Sequence, residues 1–466
     1  MCPILIYTLG CKLNQLESEA IADSFRKAGF SLVAWGAVLE GPGLVIINTC
    51  TVTSKADQKA RRTIRKALRE NPWSCVIAVG CYAQLDPGDI ALLESESAPE
   101  GCPESPPGRR LFVLGGGTGK GALLKLPGYL LGATAGTLPE MLESWLCREE
   151  GGSPFDFRPG GFAFHSRGYL KIQDGCDSAC TYCRVRLARG PSVSLDRKTA
   201  LAELLAYEAR GCAELMITGV NISQYRHSGS DLAGLVEYLL EGSEAIALRL
   251  SSLEPEAVNE RLASALAHPR VRPHFHLCVQ SGSAEVLEKM GRVYDPRRAE
   301  EAAALLRSAK DNPFLACDII AGFPGETGAD FARTLAFCEK NRFAWIHAFP
   351  FSKRPGTAAF AFGGSVCERD VTRRVEALTN LALRGRRDYA QAWLGRELSA
   401  VVEKGEPAQK GECRAVSENY LKLAVRCSGE APPPGSVVKC VVMSLCDGAD
   451  GDKPDATAEQ VTGDNN

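Results

Sequence analysis

Gln173-Asp174-Gly175-Cys176-Asp177-Ser178-Ala179-Cys180-Thr181-Tyr182-Cys183 places three cysteines at C-x3-C-x2-C spacing. Three thiolates this close can hold three corners of a cubic iron–sulfur cluster, which ordinarily takes four cysteines. The uncommitted iron can then bind a ligand that is not protein, such as the amino acid end of S-adenosylmethionine, and the cluster can pass an electron into its sulfonium. Zinc prefers paired C-x2-4-C knuckles, and no second knuckle or histidine pair follows at that spacing. A disulfide set implies an oxidising compartment that nothing else in the chain supports.

The remainder of the chain sets the frame for this loop. Its 466 residues are too many for one core and predict two to three domains. A composition of 45% hydrophobic and 24% charged residues is that of an ordinary globular protein. No apolar run is long enough to span a bilayer, and Met1-Cys2-Pro3-Ile4 lacks the features of a signal peptide, so a cytoplasmic location is expected. Nineteen cysteines are many. In a reducing compartment most act as small buried hydrophobes. Cys75, Cys212, Cys278, Cys338 and Cys440 read that way, and Cys102, Cys147 and Cys413 lie outside any ligand spacing. A net charge of −2 gives no global attraction to nucleic acid, but Lys59–Arg69 and Arg384–Arg387 are local basic runs.

In the first 130 or so residues, short apolar runs alternate with helical stretches. Ile4-Leu5-Ile6-Tyr7 precedes Cys11, Leu44-Val45-Ile46-Ile47 precedes Cys50, and Val76-Ile77-Ala78-Val79 precedes Cys81. Such runs predict buried parallel strands. The C-terminal ends of parallel strands share one edge, where ligands collect, so three cysteines distant in sequence can converge there. Gly115-Gly116-Gly117-Thr118-Gly119-Lys120 imitates a phosphate loop but has Leu114 and Gly121 where Gly and Ser or Thr are required, and it reads as a mobile turn.

From Arg167 onward the candidate strands are Tyr169–Gln173, Glu214–Thr218, Ala247–Ser251, His274–Val279, Ala316–Ala321 and Trp345–Phe349, with helical stretches such as Thr199–Ala209 and Arg298–Lys310 between them. Six β/α units predict an open or partial parallel barrel, with the cysteine loop at its C-terminal face. His274 and His276 share one strand face and read as core rather than as ligands. Beyond Leu398, the runs Ser399–Glu403, Tyr420–Val425 and Ser436–Val442 predict a small antiparallel barrel. The polar stretch from Ala449 predicts a disordered tail. The expected fold is therefore α/β: a parallel-sheet domain over 1–135, a connector over 136–160, a partial (β/α)6 barrel over 161–390, a β-barrel over 391–448 and a disordered tail over 449–466.

The chain resembles the methylthiotransferases of the radical S-adenosylmethionine superfamily up to about residue 445. The resemblance is carried by Thr8–Gln15, Ile47–Thr53, Val79-Gly80-Cys81, the cysteine loop, Thr218–Ile222, Leu250–Pro255, Gln280–Ser283, Gly322–Thr327 and Phe351–Thr357. It implies a second cluster on Cys11, Cys50 and Cys81, a radical-generating cluster on Cys176, Cys180 and Cys183, and a last domain similar to the RNA-binding TRAM domain. No catalytic residue beyond the cluster ligands is assigned. It further implies that Tyr182, Thr218, Gly219, Ser251, Gln280 and Ser281 face S-adenosylmethionine. The run Cys11–Ser18 together with Asn48–Asp57 resembles the branch that adds a methylthio group at C2 of N6-threonylcarbamoyladenosine next to the anticodon. The other branches act on isopentenyladenosine or on a ribosomal-protein aspartate, and a non-catalytic iron–sulfur RNA-binding protein is the reading from another class. The cofactors implied are two 4Fe–4S clusters and S-adenosylmethionine. The partners implied are a tRNA anticodon stem-loop, contacted by Lys59–Arg69, Arg384–Arg387 and the last domain, and a reductase or flavodoxin-type electron donor, with the sulfur donor unassigned. Val193, Cys278 and Arg414–Tyr420 depart from the usual pattern, where an Arg, a Pro and a Gly-aromatic-Thr opening are common.

Overall fold

In the computed structural model the β-branched and leucine-rich runs near the N-terminus form a five-stranded parallel sheet: β1 (Ile4–Thr8), β2 (Leu32–Val33), β3 (Leu44–Thr49), β4 (Cys75–Gly80) and β5 (Leu111–Val113), in the order β2-β1-β3-β4-β5. The structure describes residues 2–461 apart from 38, 40, 98–108, 116–118, 135, 148–150, 162–163, 406–408, 410 and 447–452. Strands β3 and β4 are buried along their whole length, as their unbroken apolar runs demand. One face of the sheet, Ile4, Ile6, Leu44, Ile46 and Ile77, packs against Ile21 and Phe25 of helix α1 (Lys12–Lys27). The other face, Leu5, Val45, Ile47 and Val76, packs against Ile64 and Leu68 of α2 (Ser54–Glu70). Each such buried aliphatic side chain contributes roughly 1.5–3 kcal/mol.

One expectation is corrected at the margin of this unit. The stretch 136–160 contains the helix Leu138–Leu146, and Leu138, Leu142, Trp145 and Phe157 are buried in the α1-side core. Its Glu, Gly and Pro content concealed a helix whose apolar residues recur every three to four positions. The imitation phosphate loop lies partly outside the described residues; Lys120, at its end, opens a short 3-10 helix.

Chain contacts divide the protein into two units, Met1–Ala163 with Cys183–Pro191, and Phe164–Tyr182 with Ser192–Asn466. The second unit begins with β6 (Gly168–Lys171), the short hairpin pair β7 (Gln173–Asp174) and β8 (Val193–Ser194), then β9 (Glu214–Thr218) and β10 (Ala247–Leu250). Strands β6, β9 and β10 pair in parallel. So do β11 (His274–Gln280), β12 (Phe314–Ala321) and β13 (Trp345–Pro350). Parallel bridges Leu248–Val271 and Leu253–Leu277 join the two halves into the arc of an open half-barrel, as predicted.

At the N-terminal end of this arc, Glu214 is buried and accepts from Arg249 Nε at 2.7 Å, Arg272 Nε at 3.0 Å and Arg167 Nη1 at 3.3 Å. Arg249 Nη2 also donates to the carbonyls of Ser417 and Glu418 in the last domain at 3.2 and 3.1 Å. His274 is buried beside them, stacked on Phe314 and Tyr420, so the core reading of that histidine holds.

The last domain is a closed five-stranded barrel: β14 (Glu397–Val402), β15 (Glu412–Ser417), β16 (Lys422–Arg426), β17 (Val437–Leu445) and β18 (Ala456–Gln460). Strand β18 overturns the expectation of a disordered tail for Ala456–Gln460, while 449–452 and 462–466 of that tail lie outside the described residues. It pairs antiparallel with β17 and parallel with β16, so the barrel is not purely antiparallel. Ala456 and Ala458 alternate inward, and the buried Asp455 accepts from Arg386 and from the Lys422 N–H. A strand carried by alanines and one buried ion pair lacks the large apolars by which strands are read. Arg386 is thereby removed from the expected RNA-contacting run, while Arg384 and Arg387 are exposed. Among the described residues no helix is long and apolar enough to cross a membrane.

Candidate active site

In the smaller unit Cys11 caps the start of α1 just beyond β1, Cys50 follows β3, and Cys81 opens the helix α3 (Cys81–Leu85) directly after β4. These three strands are immediate neighbours, so the topology puts the three cysteines on one sheet edge. Gly10 has φ +104, and a Cβ there would sit 2.6 Å from Cys50 Cβ and 2.8 Å from its Sγ. Gly80 has φ +105, with a Cβ falling 2.3 Å from the Thr49 carbonyl. Glycine is therefore required on both turns for the cysteines to approach. Burial pushes the Cys50 thiol up to about 11, with Cys11 and Cys81 adding to the shift. Metal binding displaces such a proton.

Asn14 ties this edge together. Its Nδ2 donates to the carbonyls of Leu9 at 2.8 Å and Thr49 at 3.0 Å, one in each of two cysteine-bearing turns. Its Oδ1 accepts from Lys120 Nζ and Arg189 Nη2, both at 3.0 Å. Glu17, almost wholly buried, pairs with the same two cations. Arg184 makes a two-pronged pair with Asp86 at 2.8 and 3.0 Å. Asn14 and Glu17 stood inside a run that the sequence reading used only for resemblance; their positioning role shows only once the strands are ordered.

In the larger unit the cysteine loop leaves β7 through Gln173, which is fully buried. Gln173 Nε2 donates to the carbonyls of Asp174 and Gly175 at 2.9 and 2.7 Å and to Ser192 Oγ at 2.9 Å. Its Oε1 accepts the Asn221 N–H at 2.8 Å. A Cβ on Gly219 would lie 2.8 Å from the Gln173 carbonyl, so Gly219 is needed for this approach. Asn221 Nδ2 reaches Cys176 Sγ at 3.9 Å, and Arg292 Nη1 donates to Cys180 Sγ at 3.0 Å. Arg292 also pairs with Glu254 and donates to Tyr294 Oη at 3.0 Å. Burial opposes its charge, but Tyr182, Tyr294 and Cys180 outweigh that and hold its pKa above the ordinary value. Donors aimed at two of the sulfurs suit thiolates that hold a metal cluster. Cys183 accepts the Val185 N–H at 3.4 Å and begins the segment that belongs to the smaller unit.

The other predicted positions separate. Thr218 is buried at the end of β9, and the Ser251 N–H bonds the Ile217 carbonyl just beyond β10. Gln280, at the end of β11, has φ +65, a left-handed conformation that a non-glycine residue holds only under local constraint. Tyr182 packs edge-on to Phe323 at 6.5 Å. Ser281 is fully buried, its hydroxyl 3.2 Å from Thr334 Oγ1 and accepting the Ser283 N–H at 3.2 Å, so it braces the turn. Arg292 and Gln173 went unrecognised from sequence, because a lone arginine or glutamine carries no spacing signal.

A family profile described as Uncharacterized protein family UPF0004 matches residues 3–98, and the Radical SAM superfamily profile matches residues 170–338. The chain is similar to the threonylcarbamoyladenosine tRNA methylthiotransferase of Treponema pallidum, 40% identical over 94% of this chain and 98% of that one. It is 34% identical to the protein of the same name in Thermotoga maritima over 91% of each. A tRNA-2-methylthio-N(6)-dimethylallyladenosine synthase of Solibacter usitatus is 31% identical over 80% of each. One cysteine triad lies in each of the two matched profiles, and with 40% and 34% identity over nearly the whole chain to the two threonylcarbamoyladenosine enzymes the chain belongs to the radical S-adenosylmethionine family of threonylcarbamoyladenosine tRNA methylthiotransferases.

Proposed function

We propose that Cys176, Cys180 and Cys183 bind the radical cluster and that Cys11, Cys50 and Cys81 bind a second one, within an enzyme that methylthiolates C2 of N6-threonylcarbamoyladenosine in tRNA. The protein is a radical S-adenosylmethionine methylthiotransferase acting on tRNA. The observation that carries the substrate is the 40% identity over nearly the whole chain to a threonylcarbamoyladenosine enzyme. S-adenosylmethionine and a 4Fe–4S cluster belong to this superfamily. When bound, they supply the electron and the carbon radical that an unactivated aromatic C–H requires.

The chain's own residues position that chemistry. Gln173 pins the cysteine loop to the end of β9, Asn221 and Arg292 point donors at the sulfurs of Cys176 and Cys180, and Gly219, Ser251 and Gln280 offer the strand-end surface for S-adenosylmethionine over the buried Thr218, with Tyr182 beside it. On the sheet edge of the smaller unit, Asn14, Glu17, Lys120 and Arg189 set the charge around the second triad. Lys55, Lys59, Arg62 and Arg69 on α2 are exposed and form no ion pair among the described residues, a suitable ridge for the phosphates of an anticodon stem-loop. A reductase or flavodoxin-type protein would deliver the electrons.

The test is incubation of the reconstituted protein with S-adenosylmethionine, a reductant, a sulfur source and tRNA carrying threonylcarbamoyladenosine. Nucleoside mass spectrometry should show the methylthio product. Product on tRNA carrying isopentenyladenosine instead, or on ribosomal protein, would overturn the substrate.

A further inference from the structure

Three side chains of the half-barrel take no part in the site described above: His276 on β11, Asp318 on β12 and His347 on β13. Strand register sets Asp318 directly opposite His347, and His276 opposite Ala316, two residues before Asp318. Their candidate ligand atoms all lie within 4.8 Å of one another. The two imidazoles stack at 5.1 Å, and His276 Nε2 is 2.9 Å from Asp318 Oδ1. His347 is exposed and the other two are half-buried.

Side chains two apart on a strand share a face. Toward the C-terminal strand edge, Cys278 therefore follows His276 and Phe349 follows His347. Burial pushes the Cys278 thiol up, and Asp318 and Cys180 add to the shift. Phe349 is 40% exposed, and its ring lies nearly parallel to that of His347 (15°) at 6.3 Å. An exposed ring at the reactive edge is a platform on which a nucleic acid base can stack.

Two histidines and a carboxylate are also a known metal set. Here the hydrogen bonding points elsewhere. Trp345 Nε1–H donates to His347 Nδ1 at 3.2 Å. An indole nitrogen only donates, so this His347 nitrogen is the lone pair and Nε2 carries the proton. His276 Nε2 stands at ion-pair distance from Asp318 Oδ1, 2.9 Å, and its Nδ1 lies 3.3 Å from Ser252 Oγ. Burial would raise the Asp318 carboxyl, but the facing His276 outweighs it and holds it below the ordinary value. The trio thus presents an N–H donor beside an ionised acceptor, rather than two lone pairs for a metal.

We propose that His347 and Asp318, with His276 orienting Asp318, form the subsite that reads the polar N6 side chain of the substrate adenine while the base stacks on Phe349. This rests on the threonylcarbamoyladenosine reading above. A threonylcarbamoyl group carries a hydroxyl and ureido N–H groups, which a carboxylate accepts, and carboxylate and carbonyl oxygens, which an imidazole N–H can satisfy. A prenyl group could satisfy neither and would leave the trio unpaired, which is how a polar pocket rejects an apolar analogue.

The test compares the reconstituted full chain with His347→Phe and Asp318→Asn, using anticodon stem-loop RNAs that carry threonylcarbamoyladenosine or unmodified adenosine beside the anticodon. Binding of both RNAs, methylthiolation, and 5′-deoxyadenosine release without RNA are measured. The wild type should bind the modified loop more tightly. Each variant should lose about tenfold of that preference, the cost of one hydrogen bond to a charged group. Release of 5′-deoxyadenosine without RNA should persist, and His347→Gln, which keeps a donor, should recover part of the preference. An unchanged ratio in the variants, or equal binding of the two RNAs by the wild type, would overturn the subsite. So would a bound divalent ion beyond the cluster iron that is lost in both variants while the preference stays. A wild type that binds the modified loop tightly but never methylthiolates it would instead sink the activity on which the subsite rests.

Discussion

Cys176, Cys180 and Cys183 lie within one short loop, whereas Cys11, Cys50 and Cys81 are brought to one edge by three neighbouring strands. The foundations differ as well. The strand-built triad stands on a sheet covered by apolar cores on both faces. The loop triad stands on a half-barrel whose far end is a buried charge network around Glu214. A triad fixed by local spacing tolerates change elsewhere in the fold but fails with its loop. A triad fixed by topology depends on the backbone geometry of turns that carry no ligand.

The largest effect should come from exchanging the two triads as targets. Cys180→Ala should abolish 5′-deoxyadenosine release altogether. Cys50→Ala should keep that release while ending methylthiolation, and iron should fall from about eight to about four per reconstituted chain in either variant. Retained release in Cys180→Ala would break the assignment of roles. Next in size is Gly10→Ala. The new methyl would meet Cys50 Cβ and Sγ on a backbone at φ +104, so the strand-built triad should lose its iron, about half the total, with the loop triad loaded. Full iron content in Gly10→Ala would show that the turn has more room than its geometry indicates.

The loop triad was legible because three cysteines at fixed spacing need no tertiary knowledge. The second triad was legible from apolar runs that each end at a cysteine, since parallel strands share an edge. What escaped was whatever acts through one side chain at long range. Gln173 holds its loop by four hydrogen bonds, yet a glutamine at the end of an expected strand is an ordinary residue. Arg386 sat in a basic run that reads as an RNA contact and is instead buried against Asp455. Strand β18 was missed because alanines alternate too weakly to be seen without the partner strands β16 and β17. His276 was rightly placed on one face with His274, but only the strand register brings Asp318 and His347 to it.

The contrast between apolar and charged foundations can be tested by acid. Glu214 is held at about 2, against 4.5 for an unperturbed glutamate: burial would raise it, and Arg249, Arg167 and Arg272 outweigh that. A carboxyl with a depressed folded-state pKa stabilises fully above the unfolded value, and the contribution is lost as pH falls from about 4.5 through about 2. Spectroscopic unfolding should therefore show the larger unit losing stability through that window. Glu214→Gln should cost about 3–5 kcal/mol at neutral pH, because it leaves three arginines around an uncharged group. It should also flatten the acid dependence. An unchanged acid profile in that variant would move the sensitivity to another group.

The smallest effect expected lies at Arg292, and it separates a ligand from the group that supports one. Arg292 donates to Cys180 Sγ but cannot itself hold iron. Arg292→Leu should leave the iron content of the loop triad in place and lower the rate of 5′-deoxyadenosine release by about tenfold, the lower end of what outer-shell partners cost. The midpoint potential of the cluster should fall, because a hydrogen bond and a positive charge beside a thiolate favour the reduced form. Arg292 also pairs with Glu254, so the single variant strands a carboxylate. Arg292→Leu combined with Glu254→Leu removes that burden. If the double variant regains the wild-type rate and potential, the arginine serves only to neutralise Glu254. If the potential stays low, the N–H on Cys180 sets it, and the loop triad then depends on a residue more than a hundred positions away, as the strand-built triad depends on its sheet.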